Sequence, residues 1–177
     1  VFDWQTEFKD IMRAGGFDAV IGNPPYIRME LFKELKDYLR SYFCVHDERS
    51  DLYVYFIERE HELLRDGGRF GIIVSNKFLR ANYGKQVLKL LADVAEIDQI
   101  VDLAGLPVFS GATVRTIVLV TSKGTLGGTP SYSPPPDGEA FLPLEGGTSD
   151  LATVRQALAY DLPKVAIAAD GWNLSPP

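Results

Sequence analysis

The chain has 177 residues, 46% of them hydrophobic, which is enough for one domain of ordinary size with a buried core. Its net charge of −6 argues against these residues alone forming the main surface that binds a nucleic acid. The single cysteine excludes an internal disulfide and predicts a cytoplasmic setting, and we expect no membrane span, signal peptide or metal site.

The chain begins with a predicted strand end and amphipathic turn in residues 1–16, followed by a strand over residues 17–22. The apolar residues of this strand suit a buried parallel strand, and Gly22 lets the backbone turn at its end. The next four residues are Asn23, Pro24, Pro25 and Tyr26. In an open α/β sheet, ligands bind beyond the C-terminal ends of the strands, so these four residues are candidates for a functional site.

The four residues have a specific chemistry. Each proline lacks an N–H and pushes the preceding residue towards extended geometry, so the loop presents hydrogen-bond acceptors. The Asn23 side-chain oxygen and the Pro24 carbonyl oxygen can together accept both hydrogens of a primary amine. This grip draws the nitrogen towards a tetrahedral shape and stabilises the positive charge that grows as it attacks an electrophile. Tyr26 offers a flat face to the ring that carries the amine.

Residues 22–28, Gly-Asn-Pro-Pro-Tyr-Ile-Arg, resemble the motif of the amino-methyltransferases, and most of all the DNA adenine N6 class of restriction–modification proteins. The resemblance implies catalytic roles for Asn23, Pro24 and Tyr26, with S-adenosylmethionine as cofactor. It also implies that Asp3 and Pro25 contact this cofactor, with a solvent-facing aspartate as the alternative for Asp3. A proline-stiffened turn without catalytic function is the alternative, which the joint occurrence of strand, glycine and all four residues disfavours.

The same resemblance implies that segments of the family are missing from the chain. The family places a Gly-rich cofactor loop and an acidic ribose contact upstream of the motif strand, and no Gly-x-Gly precedes Asn23. We therefore expect the chain to be part of a longer enzyme, separated from that enzyme's N-terminal half and target-recognition domain.

Apolar residues at helical spacing predict three helices after the motif: about residues 31–43, residues 50–65 with an N-cap at Ser50-Asp51, and residues 83–94. The first helix is expected to use six apolar residues: Leu31, Leu35, Tyr38, Leu39, Tyr42 and Phe43. Residues 69–74 form a near-continuous apolar run, as expected of a central strand covered on both faces. Asn76 and Lys77 follow this strand and are candidates for the target pocket, with helix capping as the alternative.

Residues 97–103 and 113–122 are predicted as two strands that are joined without a helix and therefore lie antiparallel. The predicted fold is thus α/β, a partial Rossmann-like S-adenosylmethionine-dependent methyltransferase sheet that ends in an antiparallel hairpin strand. The loop between these strands resembles the family segment whose aromatic residue packs on the flipped adenine. Phe109 and Tyr26 are accordingly expected to sandwich the base, whereas a core-filling role is the alternative for Phe109.

The composition changes after Lys123, where segments rich in Gly, Pro and Ser predict a linker with little regular structure. A short helix over residues 148–159 and a strand over residues 165–168 are expected within the tail. We assign residues 1–122 to the C-terminal portion of a methyltransferase catalytic domain. Residues 123–177 are assigned to a linker and the start of a target-recognition region.

Three hypotheses for function follow. The leading one is transfer of a methyl group from S-adenosylmethionine to a flipped adenine in double-stranded DNA, within a restriction–modification or phage-defence enzyme. The second is a protein-glutamine or RNA methyltransferase, because a planar amide can use the same two acceptors. The third is a catalytically silent structural fragment, with poor affinity for the cofactor and a motif strand exposed for self-association with a second copy.

Overall fold

The computed structural model describes residues 2–109, 114–124, 127–163, 166–168 and 171–176. The strands are β1 (Phe17–Gly22), β2 (Leu64–Ser75), β3 (Ala95–Asp102), β4 (Thr116–Lys123), β5 (Ser131–Ser133), β6 (Tyr160–Asp161), β7 (Ile167–Ala168) and β8 (Gly171–Trp172). Six of them form one mixed sheet in the order β1-β2-β4-β3-β5-β6, while β7 and β8 form a separate antiparallel pair.

The helices alternate with the strands in the first two thirds of the chain. They are α1 (Trp4–Glu7), α2 (Lys9–Arg13), α3 (Lys36–Tyr42), α4 (Tyr53–Glu62), α5 (Gly84–Val94), α6 (Gly138–Glu145) and α7 (Leu151–Leu158), with 3-10 turns at Met29–Leu31, Lys33–Leu35 and Asn76–Leu79. Helices α5 and α7 confirm the predicted helices over residues 83–94 and 148–159. Within the described ranges, no helix combines the length and apolar character that crossing a bilayer requires.

The pairing of the strands brings several strand ends to one edge of the sheet. Strands β1 and β2 are parallel, and β4 runs antiparallel to both β2 and β3, which confirms the predicted hairpin. Because β1, β2 and β3 run in the same direction, their C-terminal residues, Gly22, Ser75 and Asp102, lie along one edge, which we call the carboxyl edge. The residues that follow these strands are therefore placed where open α/β sheets bind their ligands.

The core is formed by the sheet together with α4 and α5. Its buried side chains include Tyr53, Val54 and Ile57 of α4, Val87, Leu88 and Leu91 of α5, and Phe70, Ile72 and Val74 of β2. The helical residues recur three or four positions apart, so they form one apolar stripe on each helix. In β2 the buried residues alternate with partly exposed ones. Only one face of this central strand is therefore fully covered, whereas both faces were expected to be.

Strand β1 is parallel as predicted, but it is not buried. It lies at the end of the sheet, where β2 is its neighbour, and the side chain of Ile21 is 89% exposed. The apolar sequence of β1 was a poor guide because strand composition does not report how many neighbours a strand has. The exposed motif-strand edge of the third hypothesis is thus present, and self-association through it stays a prediction.

The segment after the motif differs from the predicted helix over residues 31–43. Two 3-10 turns precede the short helix α3, and Leu31, Leu35, Tyr38 and Tyr42 are exposed. Among the six expected residues Leu39 is buried and Phe43 packs against the core. The other buried residues of the segment are Met29 and Phe32, whose spacing of three suits a 3-10 turn, in which residues three apart share one side.

The second predicted helix is shorter than expected at both ends. It begins at Tyr53, and Ser50 and Asp51 are buried before it instead of capping it. It ends at Glu62, and the chain enters β2 at Leu64, before the glycine pair that was expected to end the helix. Asp51 has stronger partners than helix N–H groups, since its carboxylate accepts hydrogen bonds from Tyr83 and Lys77.

The prediction of little regular structure after Lys123 is wrong, because strands β5, β6 and β8 and helix α6 lie there besides the expected helix and strand. Strand β5 pairs with β3 in parallel and β6 pairs with β5, so both extend the main sheet. The prolines and glycines around β5 obscured a strand of only three residues, whose Tyr132 is buried. The expected strand over residues 165–168 is found as β7, with residue 165 outside the described ranges. The division of the chain at residue 122 stays a prediction.

Candidate active site

The motif loop, residues 23–26, leaves the sheet at the carboxyl edge. Asn23 and Pro25 are exposed, Pro24 is buried and Tyr26 is half-buried. Among the described residues, neither the Asn23 side chain nor the Pro24 carbonyl oxygen has a hydrogen-bond partner. The two acceptors that the sequence assigns to an amine are therefore not used by the fold itself.

Tyr26 is anchored at its hydroxyl and at its ring. The hydroxyl donates a hydrogen bond to the carbonyl oxygen of Ile73 at 3.0 Å, just beyond the last pair between β1 and β2, Gly22 with Ile72. The ring meets that of Tyr53 edge-to-face, with 6.1 Å between centroids. Burial raises the pKa of Tyr26 to about 12, so the hydroxyl keeps its proton at neutral pH and remains a donor.

Phe109 lies directly against Tyr26. The two ring centroids are 5.7 Å apart and the planes meet at 75°, an edge-to-face contact. The structure thus brings together the two residues that are expected to hold a base. Because the rings touch, a base enters between them only after Phe109 moves away, and the sandwich stays a prediction.

Asp3 lies away from the motif loop. Its carboxylate caps α1 by accepting hydrogen bonds from the Gln5 N–H and the Thr6 hydroxyl, which lower the pKa of Asp3, the Thr6 bond contributing most. Helix α1 packs through Trp4 on Phe17, at the start of β1. The length of β1, about 16 Å, separates Phe17 from Gly22. The structure therefore does not bring Asp3 together with Pro25, the other expected cofactor contact.

Asn76 and Lys77 occupy the carboxyl edge after β2 but face different neighbours. The Lys77 ammonium lies 3.3 Å from an Asp51 oxygen and 5.3 Å from the centre of the Tyr83 ring, in a cleft of about 680 Å³. Asn76 lines a second cavity of about 300 Å³. Ser75 caps the 3-10 turn, because its side chain accepts a hydrogen bond from the Lys77 N–H. The capping role that was the alternative for Asn76 and Lys77 therefore belongs to Ser75.

Comparison with known proteins identifies the family. The model described as "Eco57I restriction-modification methylase" matches residues 1–109, which include the motif loop and Phe109. The chain belongs to the Eco57I restriction-modification methylase family. This membership confirms the resemblance that the motif indicates.

Two curated relatives of this Eco57I-family chain are type II methyltransferases by name. M.BstVI of Geobacillus stearothermophilus is 43% identical over 102 residues, which cover 56% of this chain and 18% of the relative. M.PaeR7I of Pseudomonas aeruginosa is 30% identical over 175 residues, which cover 96% of this chain and 30% of the relative. The chain thus spans less than a third of the length of these two relatives.

Two solved structures share the fold of this Eco57I-family chain. One, from Listeria monocytogenes, is described as a class I S-adenosylmethionine-dependent methyltransferase, with a TM-score of 0.55 and 18% identity over 74% of this chain and 41% of that one. The other is the methyltransferase subunit of a type I restriction-modification system from Streptococcus thermophilus, with a TM-score of 0.56 and 20% identity over 90% and 37%. They confirm the α/β methyltransferase fold.

Glu60 is a residue of this Eco57I-family site that the sequence analysis missed. Its carboxylate lies against the end of the motif strand, where a Cβ on Gly22 would come within 2.7 Å of both carboxylate oxygens. The Oε2 atom is buried and has no hydrogen-bond partner among the described residues. Burial raises the pKa of Glu60 to about 7. The spacing of Glu60 three residues after the buried Ile57 is the sequence signal for this position.

Replacing Glu60 with glutamine should make the fold less sensitive to alkaline pH. The folded chain holds the carboxyl with its pKa raised from 4.5 to about 7, so its contribution to stability is present below pH 4.5 and is lost as the pH rises through 7. Glutamine cannot ionise. In thermal unfolding, the melting temperature of Glu60→Gln minus that of the wild type should be higher at pH 8 than at pH 5. Glu34→Gln, at an exposed glutamate, is the control, and an equal pH response of both variants would contradict the prediction.

Proposed function

We propose that this chain is the part of a site-specific DNA adenine N6-methyltransferase that binds the target base, and that this enzyme acts in a restriction–modification or phage-defence system. The motif loop carries this proposal, because it places two unused acceptors, on Asn23 and Pro24, beside the anchored ring of Tyr26 at the carboxyl edge. Membership in the Eco57I restriction-modification methylase family and two relatives named type II methyltransferases support it.

The loop acts on the amine of a flipped adenine. The lone pair of this amine is shared with the purine ring, which makes the nitrogen a poor nucleophile. The Asn23 side-chain oxygen and the Pro24 carbonyl oxygen each accept one N–H, and the base rests on Tyr26. As the nitrogen attacks the methyl group, the bond between that carbon and the sulfur of the methyl donor breaks, the donor leaves as a thioether, and the nitrogen becomes positive until it releases one proton to water. While it is positive, each hydrogen bond to it contributes about 1.5–3 kcal/mol, or roughly ten- to a hundredfold in rate. The grip needs no general base with a shifted pKa.

S-adenosylmethionine is the methyl donor in this proposal. The described residues do not make a complete site for it, since Asp3 and Pro25 lie at opposite ends of β1 and Asp3 is occupied in capping α1. Both relatives contain more than three times the aligned length, and we assign the cofactor site to such additional sequence. Duplex DNA is the partner. Residues 123–177 are proposed to lead towards the target-recognition domain of the full-length enzyme.

The choice of substrate tests the proposal. The full-length enzyme that carries this chain should transfer radiolabelled methyl groups from S-adenosylmethionine to duplex DNA and leave a glutamine-containing peptide and RNA unlabelled. Digestion of the DNA should release the label as N6-methyl-2′-deoxyadenosine nucleotides. Label in the peptide or the RNA with none in DNA would overturn the proposal in favour of a protein-glutamine or RNA methyltransferase.

A further inference from the structure

A buried tyrosine supports Tyr26 from behind. Tyr53, the first residue of α4, is fully buried, and its ring meets Tyr26 edge-to-face at 6.1 Å and 80°. Phe78, in the turn after β2, packs on Tyr53 at 6.3 Å. Tyr53 therefore has no freedom to turn away, and its edge restricts the angles that the Tyr26 ring can take.

Hydrogen bonds fix Tyr53 at its other end. The hydroxyls of Tyr53 and Tyr83 are 3.0 Å apart, and the Tyr83 hydroxyl donates to an Asp51 oxygen at 3.1 Å. Since a phenol has one proton to donate, the Tyr53 hydroxyl must be the donor to Tyr83. Lys77 also contacts Asp51, at 3.3 Å, so the buried carboxylate ends the chain with a balanced charge.

The residues of this hydrogen-bond network come from separate parts of the fold. Asp51 and Tyr53 flank the start of α4, Lys77 follows β2, and Tyr83 directly precedes α5. They are linked to one another by hydrogen bonds, and Tyr53 connects them to the Tyr26 ring. Because a buried hydroxyl without a hydrogen bond is costly, this sequence of hydrogen bonds holds the Tyr53 side chain in one orientation.

We infer that Tyr53 is a positioning residue, which fixes the tilt of the Tyr26 ring on which the target base rests, and that Tyr83 and Asp51 hold Tyr53 in place. This inference rests on the proposed function of Tyr26. Tyr53 does not touch the base. It acts through Tyr26, whose angle decides whether the amine of a stacked base reaches Asn23 and Pro24.

Ring motion in the 177-residue chain tests the first half of the inference without any methylation assay. The eight tyrosines are labelled with ¹³C in the ring, and Tyr26→Phe identifies the Tyr26 signal in NMR spectra. Tyr53→Leu should shift this signal and speed up its ring flips. Tyr55→Leu is the matched control, because Tyr55 lies on the same helix, is similarly buried and has no ring contact with Tyr26 among the described residues. An unchanged Tyr26 signal in Tyr53→Leu, or an equal change in both variants, would overturn the inference.

Methylation kinetics of the full-length enzyme test the second half. Tyr53→Leu should lower kcat for methyl transfer about two- to tenfold, as expected for the loss of one aromatic pair, with an unchanged KM for DNA. Tyr53→Phe keeps the ring contact and should lose less, and Tyr55→Leu should match the wild type. An unaltered kcat in Tyr53→Leu would refute the positioning role while the wild-type enzyme still methylates DNA, so this failure is distinct from failure of the proposed function.

Discussion

Replacing Asn23 with alanine should lower methyl transfer about a hundredfold while the melting temperature stays unchanged. The loss follows from one hydrogen bond to the positive charge that develops on the amine, at the upper end of its usual strength. The fold should tolerate the change because the exposed Asn23 side chain has no hydrogen-bond partner among the described residues. Initial rates with radiolabelled S-adenosylmethionine, measured on the full-length enzyme, and thermal denaturation check the two parts separately.

The control for this variant is a second exposed asparagine. Asn82 lies in the turn before α5, and Asn82→Ala should keep the wild-type rate. A rate within a few-fold of the wild type in Asn23→Ala would remove this residue from the mechanism. Equal losses in both variants would point to a general effect of truncating surface side chains.

Acid should destabilise the fold through His61. This residue of α4 is buried against β4. Its Nδ1 lies 3.0 Å from the Ile57 carbonyl oxygen, and its Nε2 lies 2.8 Å from the Thr121 hydroxyl. A carbonyl only accepts, so Nδ1 carries the proton and Nε2 accepts from Thr121. Burial lowers the pKa of His61 from 6.5 to about 4, which favours this neutral form in the folded chain.

The sign of the effect follows from proton uptake. Between pH 6.5 and 4 the unfolded chain protonates this histidine and the folded chain does not, so the stabilisation is complete above pH 6.5 and is lost as the pH falls towards 4. The loss amounts to about 3 kcal/mol over that interval. Glu60, whose raised pKa acts in the opposite direction over an overlapping interval, partly masks it in the wild type.

Urea unfolding at pH 7 and pH 4.5 isolates the contribution of His61. The loss of unfolding free energy on acidification should be about 2–3 kcal/mol smaller in His61→Gln than in the wild type. His46→Gln changes the other histidine of the chain, retains His61, and should keep the wild-type loss. Equal losses in the wild type and His61→Gln would show that His61 does not govern the acid response.

The parts of the fold that the sequence predicts best are those that depend on neighbouring residues. Helix α5 has an uninterrupted apolar stripe, and the β3–β4 hairpin follows from two strands that are joined without a helix. The position of the motif loop at the carboxyl edge follows from the same local logic, because a glycine and two prolines directly end β1. Strand neighbours are not encoded locally, so the pairing of β5 with β3 escaped prediction, and the exposed edge of β1 was expected only under the third hypothesis.

The candidate site also contains some residues that the sequence predicts and others that it does not. Asn23, Pro24 and Tyr26 are adjacent in the chain, and the motif alone places them. Tyr53, which packs on Tyr26, and Glu60, which lies against Gly22, come from a helix some 30 residues later, and only the packing of α4 against the sheet reveals their contacts. Asp3 shows the converse, since a short sequence match suggested a cofactor contact for a side chain that the fold uses to start a helix.

The contact between Phe109 and Tyr26 means that the resting chain already carries an internal competitor on its aromatic platform. In the proposed function, an extruded nucleobase displaces Phe109 from Tyr26, so its apparent affinity is reduced by the strength of one aromatic pair, about 0.5–1.5 kcal/mol. The cost is the same for a free base and for a base in DNA, and only the base in DNA brings phosphate contacts that offset it. In the proposed function, the displaced Phe109 ring then packs on the opposite face of the base.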